Sequence, residues 1–345
     1  YSNDTASASA KGNLSIGTRS MQPFSAQEHG LQNLNYIPRI RWVDSVSEGI
    51  PISQGPAFGY INGANWPNLY SSVDRIDFSN DTATASPKGP LSTDQHRAAG
   101  SSSNQTHGYI SGNSPSANSL IDRIDFGNDT ATALSKGDLG VTACFSSGTG
   151  NADYGYHEGN ACGSSTNIRR IDYSNDTASA SAKGNFSIQK YDRAASGNQS
   201  YGYFSATGHS TIERIDYGND TATATAKGPL SATATYGFRG AIGNASYLYF
   251  CGNSNSKVDR LDFANDGVTT LVRGPLSTSS FSRGAGVGDL SYGYFTGGLR
   301  PSVSTIVDRI DYSNDTATAS PKGKASEARQ GVMGGAGNNN YGYIG

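Results

Sequence analysis

The chain has 345 residues, of which only 16% are charged, and carries a formal net charge of −2. So even a balance excludes binding to nucleic acid or to an anionic membrane by bulk electrostatics. Gly (44) and Tyr (20) abound while apolar runs stay short, which excludes a transmembrane helix and favours short strands joined by tight turns.

The first residue is Tyr1, not Met, and no charged-then-apolar leader follows it, so the expectation is a processed chain or part of a longer one. Tyr1–Ser15 reads as the outer part of a repeat whose third strand, expected just before Tyr1, is missing. The stretch from Lys11-Gly12 to Phe58 spans 46 residues, whereas its counterpart from Lys88-Gly89 to His107 spans 19. Residues 16–57 therefore contain an insertion of about 27 residues, read as a loop between blades rather than a degenerate blade. It carries one of the two tryptophans, Trp42, with Met21, Phe24 and Tyr36, and serves either as a folded lid or as a partner contact.

From Phe58 onward a repeat dominates. Tripeptides ending in Tyr60, Tyr109, Tyr156, Tyr203, Tyr249, Tyr294 and Tyr343 are spaced by 49, 47, 47, 46, 45 and 49 residues. An aromatic before an Asn-Asp turn recurs at Phe78, Phe126, Tyr173, Tyr217, Phe263 and Tyr312, with gaps of 48, 47, 44, 46 and 49. Each unit reads as four strands. One is Tyr-Gly-Tyr-Phe, as at Tyr292–Phe295; the next is Val307–Tyr312, with Ile310 and Tyr312 on one face and Arg309 and Asp311 on the other. An Asn-Asp turn leads to a Thr/Ala strand, Thr316–Ser320, which stops at Pro-Lys-Gly. The fourth strand is built of small residues, as in Gly240–Gly243, Gly284–Gly288 and 331–337, and suits a crowded place where backbones approach.

Four short strands every 45 residues or so predict an all-β fold, a β-propeller in a single domain spanning 1–345. Gly331–Gly345 reads as the inner part of a unit, so the two termini together predict a composite blade that closes the ring. The expected number is seven four-stranded blades, with eight as the alternative.

The strand order, with its small-residue strand, aromatic Gly strand and Asp-Arg-aromatic strand, resembles the kelch repeat. The double glycine appears at Gly297-Gly298 alone, and the outer strand lacks the tryptophan of that family. The wording of the repeat, as in Asp308–Gly323, looks like repeats in large virion proteins of marine cyanobacterial phages, often associated with tail fibres. That resemblance implies an extracellular, host-facing or virion-decorating role and no reaction; other virion or cell-surface proteins, with host glycan, are the expected partners.

Candidate chemistry is sparse. The Asn-Asp-Thr turns at Asn3, Asn80, Asn128, Asn175, Asn219 and Asn314 satisfy the N-glycosylation pattern, but the turn itself explains them, and a two-residue turn offers too few oxygens for Ca²⁺. The pairs Arg75/Asp77, Arg123/Asp125, Arg170/Asp172, Arg214/Asp216, Arg260/Asp262 and Arg309/Asp311 lie two apart on one strand face. They are read as structural ion pairs acting between blades, because an active site is needed once rather than in every unit. His29, His96, His107, His157 and His209 share no repeat position or metal-ligand spacing, and His107 fills an aromatic slot. Gly284–Gly288 superficially suggests a phosphate loop but belongs to the small-residue strands. Cys144, Cys162 and Cys251 are read as half-buried thiols, with a Cys144–Cys162 disulfide as the alternative.

No cofactor, no metal and no enzymatic centre is expected. Loops between second and third strands share a face with the connections between blades, and collect the variable segments Ala64–Ser72, Gly112–Ser119, Gly159–Thr166, Ala206–Ser210, Gly252–Ser256 and Gly298–Ser304. Trp66 with Asn65, Asn68 and Tyr70 offers an aromatic platform and amides suited to a sugar or partner; His209 and Arg300 are further candidates. The expected function is that of a receptor-binding or scaffold propeller. The alternatives are a purely structural decoration protein or a propeller hydrolase or lyase, which would need convergent acid–base residues on one face.

Overall fold

The computed structural model describes residues 58–62, 71–94, 100–112, 118–144, 146–159, 163–233, 240–252, 255–279, 281–330 and 334–337. The chain divides into two units, Tyr1–Gly55 and Pro56–Gly345. The first unit, with the inserted segment expected in 16–57, lies outside the described residues.

The second unit is a β-propeller of six four-stranded antiparallel blades among the described residues. Blade 2 runs from an inner strand Gly100–Ser103 through His107–Ser111 and Asn118–Asp125 to an outer strand Leu134–Ala143. The corresponding strands are Gly148–Gly150, Tyr154–Gly159, Ser165–Asp172 and Ser181–Lys190 in blade 3, and Ala194–Gly197, Tyr201–Ser205, Ile212–Asp216 and Thr225–Lys227 in blade 4. Blade 5 comprises Gly240–Gly243, Tyr247–Cys251, Val258–Asp262 and Leu271–Arg273; blade 6 comprises Ser282–Gly288, Tyr292–Arg300, Ser302–Asp311 and Ser320–Arg329. Blade 1 takes its inner strand, Gly334–Gly337, from the far end of the unit and adds Phe58–Asn62, Val73–Asp77 and Ser86–Lys88.

The expected count of seven is thus corrected to six. The physical reason is the register Asn62↔Gly334 to Gly59↔Gly337, which gives the last small-residue strand a partner in the first aromatic strand. Tyr1–Ser15, the expected complement, lies outside the described residues.

The small-residue strands are innermost, as their composition predicts. Neighbouring inner strands pack so closely that a Cβ on Gly286 would stand 2.5 Å from the Ala241 carbonyl, and one on Gly335 2.1 Å from that of Gly286. Each apolar cluster joins two blades: Tyr156 and Ile168 of blade 3 pack with Ala195, Phe204 and Ile215 of blade 4.

The outer strands begin later than Thr316–Ser320 implies. In blade 6 the strand starts at Ser320, because the preceding residues spend their amides elsewhere. Ala317 N–H closes a turn on Asn314, and Ala319 N–H donates to Pro275 of the preceding blade. The Asn-Asp turn is a single 3-10 turn, Tyr312–Asn314, capped by Asp311, whose side chain accepts from Ser313 N–H.

Candidate functional site

The repeat concentrates its chemistry at the seams between blades. At the seam of blades 4 and 5, Asp266 of the Asn-Asp turn accepts from Tyr203 Oη at 2.9 Å and pairs with Arg214 at 2.7 Å and Lys227 at 3.0 Å. The same triad meets Asp129, Asp176, Asp220 and Asp81, and at Asp315 Arg273 replaces the lysine. Burial alone would raise the Asp266 carboxyl; Lys227, Tyr203 and Arg214 together outweigh it and hold the group below the usual carboxylate range. The tyrosine ring stacks on the next blade's aromatic, Tyr156 on Tyr217 at 4.5 Å for example. The arginine lies over the aromatic of its own blade, Arg214 over Tyr201 at 4.2 Å.

This geometry corrects the partners assigned to the Arg-x-Asp pairs. Arg75, Arg123, Arg170, Arg214, Arg260 and Arg309 each reach the turn aspartate of the next blade. Asp77, Asp125, Asp172, Asp216, Asp262 and Asp311 instead cap their own 3-10 turns. The strand alternation was readable, but the turn aspartate, tied to Asn as a turn former, concealed its second role. His107 occupies the half-buried slot that Tyr or Phe fills elsewhere, and its Nδ1 shares a hydrogen bond with Thr106.

A second recurrent device joins successive blades. In four blades the acid just before the third-strand arginine is buried and accepts from the serine three residues beyond the Lys-Gly glycine of the preceding blade. Asp122 accepts from Ser92 N–H and Oγ, Asp74 from Ser326 N–H and Oγ, Glu213 likewise from Ser187, and Asp259 from Ser231 N–H. Recurrence of Asp or Glu at this position in five of six blades was the available signal. Blade 3 has Arg169 there, and the facing serine is replaced by Gly140, at φ +68°.

Of the predicted ligand residues, Asn65, Trp66, Asn68 and Tyr70 lie outside the described residues. His209 sits half-buried in the turn closed by its own N–H on Ala206. Arg300 is corrected: it is buried, stacks over Phe281, and is committed to Asp308, Thr278 and the carbonyls of Gly297 and Phe295. Its long strand shifts register at Gly297 and Gly298, both at positive φ, and the Arg300 guanidinium lies buried on Asp308.

Cys144 is disulfide-bonded and buried, as the disulfide alternative expects, and Cys251 is a fully buried cysteine rather than a half-buried one; Cys162 lies outside the described residues.

An open groove of about 380 Å³ lies at the seam of blades 5 and 6. It is lined by Asn244, Leu290, Ser291, Tyr292, Asp311, Tyr312 and Ser313. These residues belong to first–second and third–fourth strand turns, so the antiparallel order puts the groove on the face opposite the predicted loops. Leu290 is 38% exposed there, beside the half-buried Tyr292 ring. The Ser313 hydroxyl and N–H both donate to one oxygen of Asp311, holding its carboxyl below the usual range. Among the described residues no cluster of His, Cys, Asp and Glu is arranged to hold a metal, and no helix is long and apolar enough to cross a membrane.

A scan against protein-family models finds no match to this chain, and a search of the curated proteins finds none either.

Proposed function

We propose that the chain is a non-enzymatic, virion-surface or tail-associated propeller that binds host surface glycan or a receptor, or acts as a scaffold. The observation that carries this reading is the groove at the blade 5–blade 6 seam. Its 380 Å³ suits a ligand of roughly disaccharide size, small beside the usual drug-sized pocket. An exposed leucine and a tyrosine ring supply the apolar contact that a sugar face takes, while Asn244, Asp311 and Ser313 supply acceptors and donors for its hydroxyls. The virion assignment rests on the likeness of the repeat wording to phage structural proteins.

We also read the six blades as a closed ring, with kelch-like organisation. Its support is that Gly334–Gly337 pairs with Phe58–Asn62, and that Arg309 of blade 6 reaches Asp81 of blade 1.

Binding of labelled protein to a glycan array made from host envelope material tests the function. Leu290→Glu, which places a charge in the groove, is expected to weaken binding about tenfold or more, while Trp66→Ala tests the loop platform expected from the sequence. Loss of binding in Trp66→Ala alone would move the site to the loop face, and no binding by the wild type would overturn the reading. The recurrent seam triads favour a second reading, a purely structural decoration protein packed against other virion or cell-surface proteins. Electron microscopy that shows the groove buried against such a neighbour would establish it.

A further inference from the structure

The seam of blades 3 and 4 departs from the others in one cluster of buried charge. Two residues after the buried tyrosine of the second strand, where the other blades have Asn62, Ser111, Ser205, Cys251 or Thr296, blade 3 has Glu158, fully buried. Across the seam, Arg193 leads into the inner strand of blade 4 with no exposed surface, stacked over Phe186 at 3.9 Å. Its Nη1 pairs with Glu213 at 2.7 Å, and its Nη2 donates to the Ile188 carbonyl. Glu213 is well supplied with donors, accepting also from Ser187 and Ile188. Glu158 is not: its nearest cation, Arg193 Nε, stands 3.4 Å from Oε1, and neither carboxylate oxygen has a hydrogen-bond donor.

The charge count does not balance. One guanidinium faces Glu158 and Glu213, with Asp192 beside them. On its own sheet face Glu158 stands opposite Ile168, and the next cation along, Arg170 opposite Tyr156, is taken by Asp220. On the other face His157 is held between Ser102 and Ser111, and burial pushes its pKa down to about 3, so it brings no positive charge. A second ionised carboxylate in so dry a place, without donors, is costly.

We propose that Glu158 is a proton-operated latch: it folds as the neutral acid and, on losing its proton, loosens the blade 3–blade 4 seam. Burial, only partly opposed by Arg193, raises its pKa to about 8. An unfolded glutamate titrates near 4.3, so across this window the folded chain holds a proton that the unfolded chain lacks. The contribution of Glu158 to stability is therefore complete below about pH 4.3, is lost as the pH rises towards 8, and is flat above.

The test is denaturant unfolding of the full chain from pH 5 to 9, for the wild type and Glu158→Gln. The expected result is a wild-type unfolding constant that rises, relative to the variant, by up to about tenfold per pH unit across the window. Parallel curves would overturn the proposal. If Glu158→Gln does not fold, a carbon NMR titration of the assigned Glu158 carboxyl in the wild type decides: ionisation near pH 8 supports the latch, and ionisation complete by pH 6 overturns it.

Discussion

Replacing Asp266 by alanine is expected to destabilise the propeller by about 2–4 kcal/mol, measured by denaturant unfolding. The carboxylate accepts from Tyr203 and pairs with Arg214 and Lys227, so its loss strands three donors at one seam. Breaking a buried ion pair from one side costs about 3–5 kcal/mol, because the surviving partner keeps its desolvation penalty. The lower figure applies here because Arg214 and Lys227 keep 23% and 19% of their side-chain surface in water and recover part of their hydration. Asp266→Asn retains an acceptor for Tyr203 but not the charge, and should fall between alanine and the wild type. An alanine variant that unfolds at the wild-type midpoint would remove the triad from any account of seam stability.

Gly228→Ala is expected to cost about 3 kcal/mol, at the upper end for overpacking. A Cβ at Gly228 would lie 1.8 Å from the Val268 carbonyl of the next blade, and the Gly228 N–H donates to Asp266 across that contact. The obstacle is backbone, so no rotamer change relieves it. The equivalent glycines 89, 137, 184, 274 and 323 meet the next blade's carbonyl at 1.7–2.0 Å and should behave alike. Gly267→Ala, four residues before Leu271, is the contrasting case. A Cβ there meets nothing within 4 Å, and five other blades have threonine at that place. That substitution should be neutral or stabilise by about 0.4–1 kcal/mol through the unfolded state. Equal losses in the two variants would show that seam distance is not what Gly228 serves.

These seams explain how much of the molecule was legible beforehand. Two landmarks at one period, with strand alternation between them, determined the propeller, the four-stranded blade and the inner place of the glycine-rich strands. Each follows from local chemistry: alternation from the pleat, turns from Asn-Asp, and close approach from residues without bulk. The half-buried slot of His107 was also readable, since a repeat exposes any position by its counterparts.

What residue spacing did not contain is which blade a side chain reaches. Arg214 and Asp216 share a strand face, yet Arg214 pairs with Asp266 and Asp216 caps a turn, because the adjacent blade brings a better-oriented carboxylate to the guanidinium. Arg300 sits in a segment that reads as an exposed loop, yet its strand shifts register at Gly297 and Gly298, both at positive φ, and its guanidinium lies buried on Asp308. The blade count was decided the same way, by the pairing of Gly334–Gly337 with Phe58–Asn62. The sequence by itself determined the unit and its inner and outer edges, since these depend on neighbours a few residues apart. Only the tertiary structure decided the partners across seams and the balance of charge around Glu158, since those depend on groups brought together from tens to hundreds of residues away.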